Sequence, residues 1–104
     1  MKGYLTLGTV ADLNLTPIDL TLLRKESGLR TTADNPTSTA FGIWQGLEST
    51  RLKYAAKASK HLGYKVDPGT KDDYEQAVMY VFYRDDRHGS AQNALNFHVA
   101  NGYY

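Results

Sequence analysis

The sequence predicts a small, single-domain, mainly α-helical fold. Its 104 residues are the length of one domain, and 41% of them are hydrophobic, which is enough to build one core. Apolar residues recur at helical spacing in several segments, and a capping residue or a glycine stands at the ends of those segments. Together these observations favour four or five short helices in one bundle.

The chain divides into an N-terminal arm, residues 1–15, and a helical domain, residues 16–104. The arm shows no clear hydrophobic period and is expected to be extended or to form a loose first turn. The first helix is predicted to begin after Thr16, a good N-cap, with Pro17 at its first position. Gly28 is typical of a residue just past a helix end, which puts Glu26 in the last turn.

A polar loop and two further helices are predicted next. Residues 30–39 are dense in turn formers, whereas residues 40–47 are apolar but interrupted by Gly42 and Gly46. This second segment is expected to be a short helix that needs close backbone contact. Residues 48–62 have helical spacing and end at a glycine, with an inner stripe formed by Leu52, Ala55, Ala58 and Leu62.

Two more helices complete the prediction. Thr70 is expected to cap a long helix, with Asp73 at the capping-box position and Gly89 at its end. Ser90 then caps a last helix that ends near Gly102. The expected core residues of these two helices are Tyr74, Ala77, Val78 and Val81, followed by Ala94, Leu95, Phe97, His98 and Val99.

Composition excludes several classes of function. Twelve basic against eleven acidic residues leave a net charge of +1, so no strong attraction to nucleic acid is built in, and a stripe of three lysines (53, 57 and 60) is expected to be a solvated face. The chain has no cysteine, and its three histidines lack metal-ligand spacing, so neither a metal nor another cofactor is predicted. The sequence contains neither a secretory signal nor an apolar run of about 18 residues, so membrane insertion is not expected.

Three segments, in order, resemble one enzyme family. They are Glu26-Ser27-Gly28; Ala40-Phe41-Gly42-Ile43-Trp44-Gln45-Gly46-Leu47-Glu48-Ser49-Thr50; and Tyr83-Arg84-Asp85-Asp86-Arg87-His88-Gly89-Ser90, followed by Ala94, Phe97 and Gly102-Tyr103-Tyr104. This constellation resembles the lysozyme-like lytic transglycosylase superfamily, which includes soluble lytic transglycosylases, goose-type lysozymes and resuscitation-promoting factors. The likeness is strongest to phage-type members and covers residues 17–104. The chain departs from the family pattern at Ile43, Gly46, Arg51 and His88, where Leu, Phe, Trp and Tyr are usual.

The resemblance implies a lysozyme-like fold with a glycan cleft. The implied reaction is cleavage of the β-1,4 bond between N-acetylmuramic acid and N-acetylglucosamine in peptidoglycan, which leaves 1,6-anhydro ends. Glu26 is the implied catalytic acid and base. The implied substrate-binding set is Ser27, Gly42, Ile43, Trp44, Gln45 and Tyr83.

The residues themselves favour Glu26 as an acid, because a general acid must keep its proton near neutral pH. Two features of its position raise a carboxyl pKa: the negative end of a helix dipole and an apolar wall. The expected wall residues are Phe41, Ile43 and Trp44. The sequence therefore predicts a raised pKa at Glu26.

Alternative roles stay open for several of these residues. Ser27 is equally typical of a helix end, and Gly42 is typical of a turn. Gln45 also suits an amide that ties the loop to a helix. Trp44 and Tyr83 also suit a core position, and Tyr103 and Tyr104 are expected to pack against the bundle.

Other functions also stay open. A hydrolytic muramidase would need a second carboxylate, for which Asp34 is the best candidate and Glu48 the next. Asp34 before Asn35-Pro36 is also typical of a turn. A non-catalytic glycan-binding or nucleic-acid-binding helical module is a further alternative. The expected setting is a monomer carried in a phage virion or released to the bacterial periplasm and cell wall.

Overall fold

The computed structural model describes residues 3–102, which form five α-helices and no β-sheet. The helices are α1 (Leu7–Asp12), α2 (Pro17–Ser27), α3 (Glu48–Leu62), α4 (Asp73–Arg87) and α5 (Ala91–Asn101). They enclose one hydrophobic core, so the predicted all-α, single-domain class is confirmed. Within the described residues, no helix has both the length and the apolar character needed to cross a membrane.

Helix α2 begins and ends as predicted. The Thr16 hydroxyl accepts a hydrogen bond from the Asp19 amide at 3.2 Å, and the Asp19 carboxylate accepts one from the Thr16 amide at 2.9 Å. These reciprocal bonds satisfy two amides that a helix start leaves without partners. Gly28 ends the helix in the left-handed region with φ 65°, which a glycine adopts without strain. Glu26 therefore lies in the last turn.

The fully buried Asp19 carboxylate also joins α2 to α4. Its Oδ1 accepts a hydrogen bond from the Tyr80 hydroxyl at 2.6 Å, and Arg84 Nη1 lies 3.1 Å from both carboxylate oxygens. A buried carboxylate is tolerable only when it is paired in this way.

The core lies between α2, α4 and the segment before α3. Its bulkiest members are almost fully buried, and they come from all three of these parts: Leu22, Leu23, Ile43, Trp44, Met79 and Tyr80. The segment before α3 therefore belongs to the core rather than to a surface loop.

The predicted extended arm is instead a short helix docked on α4. The Thr6 hydroxyl caps α1 by accepting a bond from the Thr9 amide at 3.2 Å. The Thr6 amide and hydroxyl both donate to the Asp73 carboxylate, at 3.0 and 2.8 Å. This anchor across the fold could not be recognised from local periodicity. The first two residues of the predicted arm and the predicted packing of Tyr103 and Tyr104 lie outside the described residues.

The short helix predicted over residues 40–47 is wrong. This segment forms turns and isolated bridges, with the Phe41 amide donating to the Gly46 carbonyl oxygen at 3.2 Å and the Gly42 amide to that of Ala33 at 2.9 Å. Positive φ angles at Gly42 (85°) and Gln45 (55°) break any helical path. We refer to residues 40–47 below as the core loop.

The predicted cap of α4 is also displaced. The helix begins at Asp73 and its N-cap is Asp72, whose carboxylate accepts a bond from the Glu75 amide at 2.9 Å. Thr70 instead donates its hydroxyl proton to the Glu75 carboxylate. Asp73 cannot close a capping box because its carboxylate binds Thr6.

Two predicted core positions face solvent. Leu52 is 55% exposed because the neighbouring Tyr54 takes the inner face of α3, and Val99 is 72% exposed on α5. The bounds of α3 and the Ser90 cap of α5 are as predicted.

Candidate active site

An open groove of about 890 Å³ lies where the end of α2 meets the core loop, α3 and α4. It brings together parts of all three segments that carry the family resemblance. The residues that line it are Glu26, Asn35, Ala40, Trp44, Gln45, Gly46, Leu47, Ser49, Thr50, Lys53, Tyr54, Tyr83, Asp86, Arg87 and Gly102. Its size is that of a small-ligand cleft.

Glu26 lies at the groove with most of its side chain covered, since only 15% of it is exposed. Burial raises the pKa of its carboxyl group above the usual value, because desolvation disfavours the charged form. The direction predicted from the sequence is therefore confirmed. The apolar wall differs from the prediction: Trp44 lines the groove, whereas Phe41 and Ile43 do not.

His98, on α5, contacts the candidate acid directly. Its Nε2 lies 2.7 Å from Glu26 Oε1, and its side chain is as covered as that of Glu26. This contact acts against burial, because the imidazole and its charge favour the ionised carboxylate and lower the pKa of Glu26. Nothing in the local sequence of α5 indicates this pairing, which depends on how α2 and α5 pack.

Ser27 fastens the end of α2 to the core loop. Its buried hydroxyl donates to the Ile43 carbonyl oxygen at 2.7 Å and also lies 3.1 Å from that of Leu23. Ser27 and Ile43 are buried and do not line the groove, so neither side chain lies where the resemblance implies a substrate contact. The bond between Ser27 and Ile43 instead supports their neighbours in the chain. Ser27 directly follows Glu26, and Ile43 directly precedes Trp44.

Gly42 is likewise a supporting residue rather than a groove residue. A Cβ atom at this position would lie 2.9 Å from Gln76 Oε1, closer than side chains tolerate. Gln76, on α4, is buried and fully engaged: it accepts from the Ile43 amide at 2.9 Å and donates to the carbonyl oxygens of Thr31 and Thr70 at 2.7 and 2.8 Å. The sequence analysis missed Gln76, since an amide within a helical pattern is ordinarily a surface residue.

Gln45 lines the groove but uses its amide to shape the loop. Its Nε2 donates to the carbonyl oxygens of Ala33 and Gly42, at 2.9 and 2.8 Å. These bonds tie parts of the loop to each other, whereas the alternative left open for Gln45 was a tie from the loop to a helix.

Trp44 is a core residue whose ring also forms part of the groove wall. It is only 2% exposed. A Cβ atom at Gly46 would lie 2.5 Å from its ring, so a glycine at this position leaves space for the indole.

Tyr54 and Tyr83 complete an aromatic wall with Trp44. The ring centroids of Tyr83 and Trp44 are 4.9 Å apart, and those of Tyr83 and Tyr54 are 5.5 Å apart in an edge-to-face arrangement. Burial, followed by the neighbouring tyrosine and Glu26, raises the pKa of the Tyr83 hydroxyl. The charge of Glu26 therefore contributes to the raised pKa of Tyr83, and the Tyr83 hydroxyl stays protonated near neutral pH.

The second carboxylate of the groove is Asp86 rather than Asp34. Asp34 is exposed in the loop and does not line the groove. Asp86 forms an ion pair with Lys57 at 2.5 Å, and this contact, with help from Tyr54, lowers the pKa of its carboxyl group. Asp86 therefore stays ionised, while Glu26 is held toward its neutral form.

Arg51, another departure from the family pattern, braces the core loop. Its guanidinium group donates to the carbonyl oxygens of Gly46, Pro68 and Thr39 at 2.9, 2.8 and 2.8 Å. The guanidinium group also lies 5.6 Å from the Phe41 ring centroid. These contacts account for the residue without a substrate.

Among residues 3–102, no group of three His, Asp or Glu side chains is arranged to hold a metal ion. Comparison of the chain with protein-family models, curated proteins and solved structures finds no match.

Proposed function

We propose that this protein is a peptidoglycan lytic transglycosylase that cleaves the bond between N-acetylmuramic acid and N-acetylglucosamine. The observation that carries the proposal is the environment of Glu26. Its carboxyl group is largely buried, has a raised pKa and lies at a groove walled by Trp44 and Tyr83. A carboxylic acid whose pKa is raised beside an open cleft is suited to protonating a leaving oxygen.

The convergence of three separate motifs supports the same proposal. Glu26, Gln45 and Tyr83 come from the three segments that resemble lytic transglycosylases, and all three line one groove. Two residues of those motifs that lie outside the groove, Ser27 and Gly42, fix the backbone around the acid. This arrangement gives each matched residue a physical role near Glu26.

The proposed reaction needs one carboxyl group and no water. Glu26 gives its proton to the glycosidic oxygen as the bond from that oxygen to C1 of muramic acid breaks. The 6-hydroxyl oxygen of the same muramic acid bonds to C1, and its proton passes to the Glu26 carboxylate. The acid is thereby restored, and the product is a 1,6-anhydro sugar.

Asp86 favours a second candidate, a hydrolytic muramidase. Hydrolysis requires a carboxylate that acts on water or on C1, in addition to the acid. Asp86 is ionised and lines the same groove, as such a group must. Its engagement with Lys57 and Tyr54 argues for a structural role, so the transglycosylase remains the first proposal.

The mass of the released muropeptides distinguishes the two reactions. Purified sacculi are digested with wild-type protein, and the masses of the soluble products are measured by mass spectrometry. We expect products lacking one water, which marks anhydro ends, and unchanged products from Asp86→Asn. Reducing ends that disappear in Asp86→Asn would instead establish the muramidase.

The role of Glu26 is tested by Glu26→Gln, with Glu75→Gln as its matched control. Glu75 lies on α4 outside the groove, and a glutamine there keeps an oxygen to accept from Thr70. We expect the Glu26 variant to lose at least about 100-fold in rate, as for loss of a general acid, and the control to keep its rate. Solubilisation of sacculi by Glu26→Gln would refute the proposal, and tight glycan binding without turnover by wild type would favour a binding module.

The proposed setting follows from the resemblance to phage-type members. The protein would act as a monomer on glycan strands of the bacterial wall, carried in a virion or released to the periplasm. Binding that weakens steeply with salt, or that prefers nucleic acid to glycan, would contradict this substrate class.

A further inference from the structure

Glu26 and His98 form a pair between two helices at the candidate site. Glu26 lies in the last turn of α2 and His98 in the last turn of α5. Their contact of 2.7 Å lies within the range of a hydrogen bond between a nitrogen and a carboxylate oxygen, and both side chains are 15% exposed. Water therefore screens this interaction less than it screens the surface pair of Lys57 and Asp86.

The contact fixes which oxygen of Glu26 can act. Because Oε1 is engaged with His98 Nε2, the role of proton donor falls to Oε2, the second carboxylate oxygen. A carboxyl group held at one oxygen also loses rotational freedom before substrate arrives, which favours a productive geometry. The pair thus orients the acid as well as binding two helices together.

We propose that His98 is a positioning residue for Glu26: it orients the carboxyl group and stabilises the carboxylate that remains after the proton has moved to the glycosidic oxygen. This inference rests on the proposed function. No proton is consumed, since Glu26 regains one from the attacking hydroxyl.

Other titratable groups line the groove beside Glu26. Tyr83, Asp86 and Arg87 lie on α4, and Lys53 lies on α3. The charge of Glu26 raises the pKa of Tyr83. The charged group that affects the pKa of Glu26 itself is His98, which lowers it. A change at His98 should therefore move the titration of Glu26 more than a change at any of the other four.

The first test measures the protonation of Glu26 without using activity. Carbon-detected NMR follows the Glu26 side-chain carboxyl against pH in wild type, His98→Gln and His98→Phe. Glutamine keeps a hydrogen-bond donor but no charge, and phenylalanine keeps neither. We expect the Glu26 midpoint to rise from wild type to His98→Gln to His98→Phe, and its curve to change from two coupled steps to one.

The second test measures the pH dependence of kcat/KM on sacculi. We expect the alkaline limb to move upward in the same order, and each displacement of ~1 pH unit changes the rate on that limb about tenfold. His61→Gln, an exposed histidine on α3, should leave both the midpoint and the limb unchanged. Thermal unfolding shows whether each variant is folded.

The outcomes separate the two hypotheses. Equal Glu26 midpoints in wild type and both His98 variants, with only thermal stability altered, would overturn the role of His98. A shifted midpoint in a protein that never releases muropeptides would support the pair and refute the transglycosylase. A shifted midpoint with an unmoved alkaline limb would also overturn the proposed role in the reaction.

Discussion

The Ser27 hydroxyl donates a hydrogen bond of 2.7 Å to the carbonyl oxygen of Ile43. Ser27 directly follows Glu26, and Ile43 directly precedes Trp44. This single bond therefore helps to set the distance between the Glu26 carboxyl group and the aromatic wall. Ser27→Ala should lower the free energy of unfolding by about 1–2 kcal/mol, because the Ile43 carbonyl oxygen is then buried without this partner. Urea denaturation measures this loss.

Thr21→Ala is the matched control for Ser27→Ala. The Thr21 hydroxyl bonds only back to the Pro17 carbonyl oxygen of its own helix, at 2.9 Å. Its removal should change the free energy of unfolding by less than about 0.5 kcal/mol. Equal losses in the two variants would show that the bond between α2 and the core loop adds nothing to stability.

Gln76 is expected to be among the most sensitive polar residues of the fold. Gln76→Leu leaves two buried backbone groups and one partly buried group without this partner, and at about 1 kcal/mol each the free energy of unfolding should fall by about 3 kcal/mol. Gln92→Leu, at an exposed position on α5, should have an effect within about 0.5 kcal/mol. A loss at Gln76 as small as that at Gln92 would contradict the importance of this amide.

Gly42→Ala should cost more stability than Gly63→Ala. Both glycines have φ above 80°, so alanine is strained at each by about 1 kcal/mol. Only at Gly42 does the new Cβ atom also meet Gln76, which adds about 1–3 kcal/mol of overpacking, whereas nothing lies within 4 Å at Gly63. Chemical denaturation of the two variants gives the difference, and equal costs would remove the clash as the reason for a glycine in the core loop.

The raised pKa of Glu26 makes a prediction about stability against pH. The Glu26 carboxyl group binds its proton more tightly in the folded than in the unfolded state, so the protonated group adds to the stability of the fold at low pH. This contribution is lost as pH rises through the pKa of the folded state. Glu26→Gln cannot ionise, so the difference in unfolding free energy should move in favour of the variant as pH rises above about 4.5. Urea denaturation at several pH values measures the difference, and a constant or opposite trend would contradict the burial of Glu26.

Local signals were sufficient for most of the helices. Thr16, Gly28, Gly63 and Ser90 act on the backbone within a few residues, and each marks a helix end as predicted. Asp72 rather than Thr70 caps α4 because Thr70 and Asp73 are engaged by more distant partners. Competition of this kind cannot be recognised from a capping pattern alone.

The site was predictable only in part. Glu26, Trp44, Gln45 and Tyr83 were identified by motif and line one groove. His98, Gln76 and Asp86 were missed because their roles arise from packing between helices that are far apart in sequence. The core loop was misread as a helix because apolar content indicates burial, whereas its turns depend on hydrogen bonds to Gln76 and Arg51.

Digestion of purified sacculi in water enriched in oxygen-18 tests the central claim most directly. If Glu26 donates its proton and the sugar's own 6-hydroxyl oxygen bonds to C1, muropeptides released by the wild type will carry no oxygen-18 at the new end. Glu26→Gln will release almost no muropeptides. Heavy oxygen at that end would establish water as the nucleophile, and undiminished release by Glu26→Gln would show that this carboxyl group is not the acid.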